Sequence, residues 1–426
     1  MSGSSDSLFF PPVKDWSLSA AVAGILASTM GYAGPLVILF KVAEAANLSN
    51  EVLTSWIWGM SIASGLLCGW FSLRYRIPLL FAWNAPGSAL LVTLVPGLAW
   101  SEVIGAYVMA GIILLLLGIS GAFEKLVRRL PLSVAAALLA GILVHFSLDL
   151  FSQMSGSPLL GITMFVAYII LRQLLPRYTI MLTVAIGVLV LLATYDLSFS
   201  EVQWKVSVPQ WYWPTFSLTS LFSIAIPLVL VAVSGQFITG IAILRQDKYD
   251  PPANSIVAGS GLLSILFAPT ACHGVNLSAI TAAICTGRDA NPDPGKRYFG
   301  PVVAMLWYLM FGLFSAALVS IIQSFPAAFI AMVAGIALLG ALEGSLNAAM
   351  SQPTQREAAL CTFLVTASDL SLLGLSSAFW GVIFGGGIVL VQSFLLRKQQ
   401  DSRNFSYIKF SIANCATGKN WCMKYE

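Results

Sequence analysis

Two stretches of this 426-residue chain combine Pro-Gly breaks with polar side chains inside apolar sequence. The first, from Ile77 to Leu91, carries Trp83, Asn84, Pro86, Gly87 and Ser88; the second, from Phe267 to Ile280, carries Thr270, His273, Gly274, Asn276 and Ser278. Proline offers no N–H and biases its predecessor toward extended backbone, so each stretch reads as an extended segment followed by a short helix. A half-helix that begins at membrane depth presents unpaired N–H groups and the positive end of its dipole, and two such ends can converge on one anion. One end contributes roughly 0.3–1 kcal/mol, up to about 2 when partly buried. Desolvating a carboxylate costs several kcal/mol, so two ends plus hydroxyl, amide or imidazole donors are required. No Asp or Glu lies in either stretch, which suits an anionic solute better than a cationic one.

A third polar group, Ser234-Gly235-Gln236-Phe237, interrupts an apolar run. Polar side chains in membrane helices face the bundle interior or a cavity. The plainer alternatives are a structural kink at each Pro-Gly break and an interhelical hydrogen bond at Gln236. Only two histidines exist, His145 and His273. Imidazole titrates near neutral pH, which makes His273 the proton-coupling candidate, with a neutral donor as the alternative; His145, after a run of Ala and Leu, reads as a packing residue.

The elements that must position these groups are membrane helices. The chain is 58% hydrophobic and 9% charged, against about 25% charged in soluble domains. The apolar runs lack the period-2 alternation of barrel strands, so helices are expected. The formal charge of +4 forms no basic stripe and implies no nucleic-acid partner. The six cysteines have no metal-ligand spacing, and no nucleophile–base pair marks an enzyme; no metal or cofactor is expected. The N-terminus lacks a basic region with a cleavage site, so the first apolar run reads as a retained span.

Fourteen spans are expected, at 17–41, 51–72, 77–95, 101–121, 131–149, 155–173, 179–195, 215–244, 253–269, 272–287, 299–323, 326–342, 357–371 and 375–396. With the N-terminus inside, sixteen Lys and Arg fall on the inner side before the tail and two, Lys41 and Lys205, on the outer side. That split follows the positive-inside rule, and one misplaced span in the middle would destroy it. Both ends are therefore expected in the cytoplasm.

Seven spans per half requires any repeat to be inverted, a pattern typical of secondary carriers. Gly65-Leu66-Leu67 leading to Phe71 matches Gly261-Leu262-Leu263 leading to Phe267, and Pro131 with Ala140-Gly141-Ile142 matches Pro326 with Ala334-Gly335-Ile336, both about 195 positions apart. The organisation read from this is a cytoplasmic N-terminus (1–16), a first repeat (17–196, spans 1–7), a periplasmic aromatic linker (197–214), a second inverted repeat (215–398, spans 8–14) and a cytoplasmic tail (399–426). The tail matches no recognised pattern. The extended breaks fall in spans 3 and 10.

Ala82-Trp83 with Pro86 through Leu91, Ser234-Gly235-Gln236, and the run from Cys272-His273-Gly274-Val275-Asn276 through Thr286-Gly287 to Asn291-Pro292-Asp293-Pro294 and Lys296-Arg297-Tyr298 resemble the benzoate/proton symporter family. The likeness covers about residues 12–398, with Ser278 and Asn291 as small departures. It implies proton-coupled import of benzoate or a related aromatic carboxylate across a bacterial inner membrane. The family is in turn similar to nucleobase carriers, whose spans 1–4 and 8–11 form a substrate-carrying core and spans 5–7 and 12–14 a gate, often in a dimer. Those carriers place acidic residues on spans 8 and 10, where this chain has Gln236 and His273-Gly274. The substrate-binding set expected is Trp83, Asn84, Pro86, Gly87, Ser88, Ser234, Gln236, Phe237, Thr270, His273, Gly274 and Asn276. A carrier of uncharged nucleobase-like solutes and an uncoupled anion channel are the alternatives.

Overall fold

The computed structural model describes residues 11–123, 125, 132–176, 178–195, 202, 204–278, 282–287, 290–368, 370, 372 and 377–395; the tail at 399–426 lies outside them. Helices α1 (Leu18–Ala45) and α2 (Asn50–Tyr75) lead to strand β1 (Phe81–Trp83), the half-length α3 (Ala85–Leu94) and α4 (Trp100–Ile119). Next come α5 (Leu132–Gly156), α6 (Pro158–Leu174) and α7 (Thr179–Thr194). An irregular stretch then reaches α8 (Leu218–Arg245), α9 (Ala253–Phe267), strand β2 (Val275–Leu277) and the short α10 (Ala282–Thr286). The chain closes with α11 (Phe299–Leu313), α12 (Ser315–Gln323), α13 (Ala327–Met350), α14 (Arg356–Ala367) and α15 (Ser377–Leu395).

Among the described residues seven helices are long and apolar enough to cross a bilayer, with mean hydropathy from 1.3 to 2.3. Their outer faces leave Leu116, Ile119, Leu390 and Phe394 exposed, the surface expected of chains solvated by lipid. A further apolar pair, Pro294–Leu313 with Ser315–Gln323, is bent by 69° and makes an eighth crossing if it is taken as one broken span. The sequence reading places one span over 299–323; the chain instead bends at Phe314, between α11 and α12. The aromatic linker accounts for how the bend is tolerated. Ser207 donates its N–H to Leu313 O (2.7 Å), and its Oγ accepts from Ala316 N (2.9 Å), satisfying backbone groups that a bent helix frees.

The bundle is assembled by helix pairs: α2 lies along α11, α4 along α9, and α5 along α13 with α14 against it. Close approach depends on missing side chains. A Cβ at Gly118 on α4 would sit 2.4 Å from Ala258 N on α9, and one at Gly261 on α9 would sit 2.4 Å from Leu115 N on α4. Small residues at membrane helix interfaces let backbones approach in this way.

Extended backbone inside a membrane bundle must have every polar group satisfied. Strands β1 and β2 pair antiparallel, with Phe81 opposite Leu277, Ala82 opposite Asn276 and Trp83 opposite Val275. Their outer edges are closed by side chains from the flanking helices. On the β1 side, Ser72 Oγ accepts from Leu79 N (3.2 Å) and Cys68 Sγ accepts from Phe81 N (3.0 Å), both from α2. On the β2 side, Ser264 Oγ of α9 accepts from Val275 N (3.1 Å).

The run Asn291 to Tyr298 builds a clamp at the end of the bundle where α1 begins. Arg297 donates to Asn291 O and Thr286 O (both 2.6 Å), and Asn291 Nδ2 donates to Ser17 Oγ (2.7 Å). Tyr298 donates to Asp15 Oδ2 (2.8 Å), and Arg76 bonds both Asp15 and Tyr298. Burial and the Asp15 hydrogen bond push the Tyr298 phenol above its ordinary range, against the opposing Arg76 charge. The end of the Cys272–Tyr298 run therefore fastens α1, α2 and α11 together.

Ser264→Ala would strand the buried Val275 N–H, at a cost of roughly 1–3 kcal/mol. The expected outcome is a lower melting temperature of the purified protein, read by fluorescence-detected size exclusion.

Candidate functional site

The strand pair sets the site. Side chains alternate across a strand, so Asn276 and its partner Ala82 share one face and Trp83 shares the other with Val275. The two faces differ in chemistry. Trp83 packs on Tyr32, ring centroids 4.4 Å apart, and Tyr32 in turn packs on Phe311 and Tyr308. Asn84, His273, Gly274 and Asn276 instead line a small cavity of ≈ 10 Å³, walled by Ala110, Gly111 and Leu114 of α4, Leu228, Val229 and Ala232 of α8, and Ser264 of α9. Trp83 and His273 thus belong to different environments, although the sequence groups them together.

His273 is buried and held from two sides. Trp56 Nε1 of α2 donates to His273 Nδ1 (3.0 Å), while His273 Nε2 lies 3.0 Å from Ser88 Oγ and 3.3 Å from Asn84 O. An indole N–H only donates, so Nδ1 is the acceptor and the ring is the neutral Nε2–H tautomer, assigned from the network. Nε2–H then donates toward Ser88 Oγ and Asn84 O, and Ser88 Oγ donates to Asn84 O (3.1 Å). The rings of Trp56 and Tyr107 pack on the imidazole, and Trp100 packs on both of them. Gly274, next in the chain, has φ +127°, a conformation open to glycine; it turns the chain from His273 into β2.

The start of α3 is capped from within. Asn84 Oδ1 accepts from Gly87 N (3.1 Å), Ser88 N donates to Asn84 O (2.7 Å), and Pro86, in the first turn, has no N–H. An incoming carboxylate has to displace the Asn84 amide to reach Gly87 N. The buried Asn276 Oδ1 has no hydrogen-bond partner among the described residues, so the cavity holds one polar atom whose partner must come from a solute or water.

Helix α8 closes the cavity and is not a regular α-helix. It contains π-helical turns over Leu221–Ala225 and Val233–Phe237, and such turns concentrate at functional sites. The second holds Ser234, Gly235, Gln236 and Phe237. Ser234 Oγ is spent on Leu230 O (2.7 Å), Gln236 is half-buried, and Phe237 is fully buried against Phe123. Gly235 faces Leu139 of α5. Thr270 lies outside the cavity lining: its Oγ1 donates to Phe267 O (2.7 Å), and it packs where Gly59 of α2 leaves room. Sequence reasoning missed Trp56 and Ser264, because neither a Trp in span 2 nor a Ser in span 9 carries a local signal of its contacts. It missed the π turns for the same reason.

A multi-spanning helical bundle built around two paired strands is the architecture of a polytopic membrane protein, and the family it belongs to is one of membrane transporters. The chain belongs to the family described as benzoate membrane transport protein, whose match spans residues 14–391. It is 38% identical over 389 residues to the benzoate membrane transport protein of Acinetobacter baylyi (91% of this chain, 98% of that one). It is 37% identical over 374 residues to the inner membrane protein YdcO of Escherichia coli K12 (88% and 96%). Its fold is similar to the transmembrane domain of the cyanobacterial bicarbonate transporter BicA (TM-score 0.55, 13% identity, 88% and 95% covered). It is also similar to the murine anion transporter Slc26a9 in its inward-facing state (TM-score 0.59, 12% identity, 91% and 70% covered).

The tautomer can be checked directly. In untagged His145→Gln protein, His273 is the remaining imidazole. Its ¹⁵N spectrum at neutral pH is expected to show Nε2–H alone, and Trp56→Phe is expected to introduce an Nδ1–H population.

Proposed function

We propose that this protein imports benzoate or a related aromatic carboxylate together with a proton, by alternating access, in a bacterial inner membrane with both ends cytoplasmic. The observation that carries the reading is the buried His273 network, lined without carboxylates, in a member of the benzoate membrane transport family. An anion entering here meets amides, hydroxyls and a neutral imidazole, and no fixed negative charge. The ring would rest on the apolar wall given by Leu114, Leu228 and Val229.

The reading includes fourteen spans in two inverted repeats, 17–196 and 215–398, joined by 197–214, with a core of spans 1–4 and 8–11, a gate of spans 5–7 and 12–14, and a homodimer as assembly. Element positions support it. Leu132 and Ala327, 195 positions apart, open α5 and α13, and β1 and β2 hold equivalent places in the two halves. An inverted repeat that exchanges α2 with α9 and α4 with α11 turns the α2–α11 pair into the α9–α4 pair, and both pairs pack closely. The α5–α13 and β1–β2 pairs map onto themselves.

His273 is the proton-coupling candidate. Its Nδ1 can take a proton only after the Trp56 indole leaves it, so protonation and a rearrangement of α2 against β2 are coupled by geometry. Gln236, in its π turn beside α5, is placed to feel the same rearrangement.

Labelled benzoate uptake into proteoliposomes is expected to rise when an inward proton gradient is imposed; uptake indifferent to the gradient removes the proton claim. His273→Ala and Gln236→Ala are expected to lower uptake by about tenfold or more, equivalent to ~1.4 kcal/mol, while the protein stays inserted and monodisperse. Wild-type rates in both variants would refute the site. Uracil or xanthine is expected not to compete, and uncoupled conductance far above carrier turnover would mark a channel instead.

A further inference from the structure

A second cavity, of ≈ 70 Å³, lies where α1, α3, α5, α14 and α15 meet. Its walls combine one cation with apolar surface: Lys41 of α1, Leu90 and Thr93 of α3, Phe146 and Asp149 of α5, and Thr366 of α14. Lys41 Nζ lies 2.6 Å from Asp149 Oδ2 and 5.4 Å from the centre of the Phe146 ring. We infer that this cavity is a second binding site for an aromatic carboxylate, in which the solute's carboxylate replaces Asp149 on Lys41 and its ring enters the apolar cavity beside Phe146. The inference rests on the reading above that the solute is an aromatic carboxylate.

The two partners of the ion pair differ in what they lose by separating. The Lys41 side chain is 13% exposed and that of Asp149 is 54% exposed. A mostly buried ammonium needs an anion, because an unpaired buried charge is expensive. A half-exposed carboxylate regains water when released and loses little. The pair is thus poised for exchange: a solute carboxylate can take over Lys41 while Asp149 turns to solvent.

The remaining lining fits the rest of the solute. Leu90, Ile142, Phe146 and Ala378 supply apolar contact. The buried Thr366 hydroxyl has no hydrogen-bond partner among the described residues, which leaves a donor for the second carboxylate oxygen. His145 also lines this cavity. Leu90 lies two residues beyond Ser88 of the His273 network, on the same half-helix. Lys41 is one of only two cations that the charge distribution assigns to the outer side. On that orientation the cavity lies toward the outer side from the central site, and it joins α1 and α3 to α5, α14 and α15.

The test is equilibrium binding of radiolabelled benzoate to wild type, Lys41→Gln, Lys41→Arg and Asp149→Asn in nanodiscs, paired with uptake kinetics in proteoliposomes. Lys41→Gln is expected to weaken binding at this site by about tenfold or more, the loss of one charge-assisted contact. It should also raise the KM of uptake while leaving kcat near wild type. Lys41→Arg keeps the charge and is expected to retain binding, which separates a lost contact from a damaged fold. Asp149→Asn removes the competitor and is expected to tighten binding. Benzamide, with the ring and no charge, should not displace Lys41-dependent benzoate, and acetate should displace it only weakly. Binding indifferent to both Lys41→Gln and Asp149→Asn overturns the inference, as does acetate competing as well as benzoate. If wild-type liposomes take up no benzoate while binding still depends on Lys41, the transport reading falls and this site stands. If uptake is normal and binding ignores Lys41, the reverse holds.

Discussion

A backbone N–H or C=O without a partner costs several kcal/mol in hydrocarbon, and the centre of this protein contains six residues of extended chain. The structure depends on how that requirement is met. Strands β1 and β2 satisfy each other along their shared edge, and Ser72, Cys68 and Ser264 reach in from α2 and α9 to close the outer edges. Because the closing groups sit on long helices, those helices are fixed against the ribbon. The ribbon in turn fixes where α3 starts and where His273 points.

The same constraint explains why the site is quiet in this conformation. The start of α3 is capped by Asn84, and both nitrogens of His273 are engaged. On the proposed reading, a solute bound here would exchange hydrogen bonds with the protein and would not fill vacant donors. Asn84 has to yield its amide oxygen, and Trp56 has to leave Nδ1 before a proton can occupy it. Exchange of this kind links occupancy to movement, because each displaced partner belongs to a different element. The π turns in α8 supply a helix that already departs from regular hydrogen bonding beside α5.

Charged residues do separate work at the ends of the bundle. The Asp15–Arg76–Tyr298 group and Arg297 clamp the end where α1 begins. Arg172 pairs with Glu343 between α6 and α13, and Lys41 with Asp149 between α1 and α5. Family resemblance in the sequence was carried by the run from Cys272 to Tyr298, and that run divides in the structure: His273, Gly274 and Asn276 line the cavity, while Asn291, Arg297 and Tyr298 hold helices together. A motif can be specific because many backbone carbonyls and one buried guanidinium must agree in three dimensions.

Composition and the spacing of Pro and Gly determined much by themselves. Hydrocarbon admits few backbone arrangements, so apolar runs of spanning length had to be helices, and Pro78, Pro86 and Pro269 had to mark breaks between them. The absence of Asp and Glu from both breaks was legible in the same way, as was the pairing of His273 and Ser88 with one region. Tertiary structure alone decided the rest. Period-2 alternation puts Trp83 on the opposite face from Asn276, a consequence of strand geometry that composition does not carry. The bend at Phe314 is tolerated because Ser207, more than a hundred positions away, supplies the missing partners. Trp56 meets His273 across 217 positions. Contacts of that range depend on how helices pack, and packing is set by shape complementarity among many side chains, which no local pattern records.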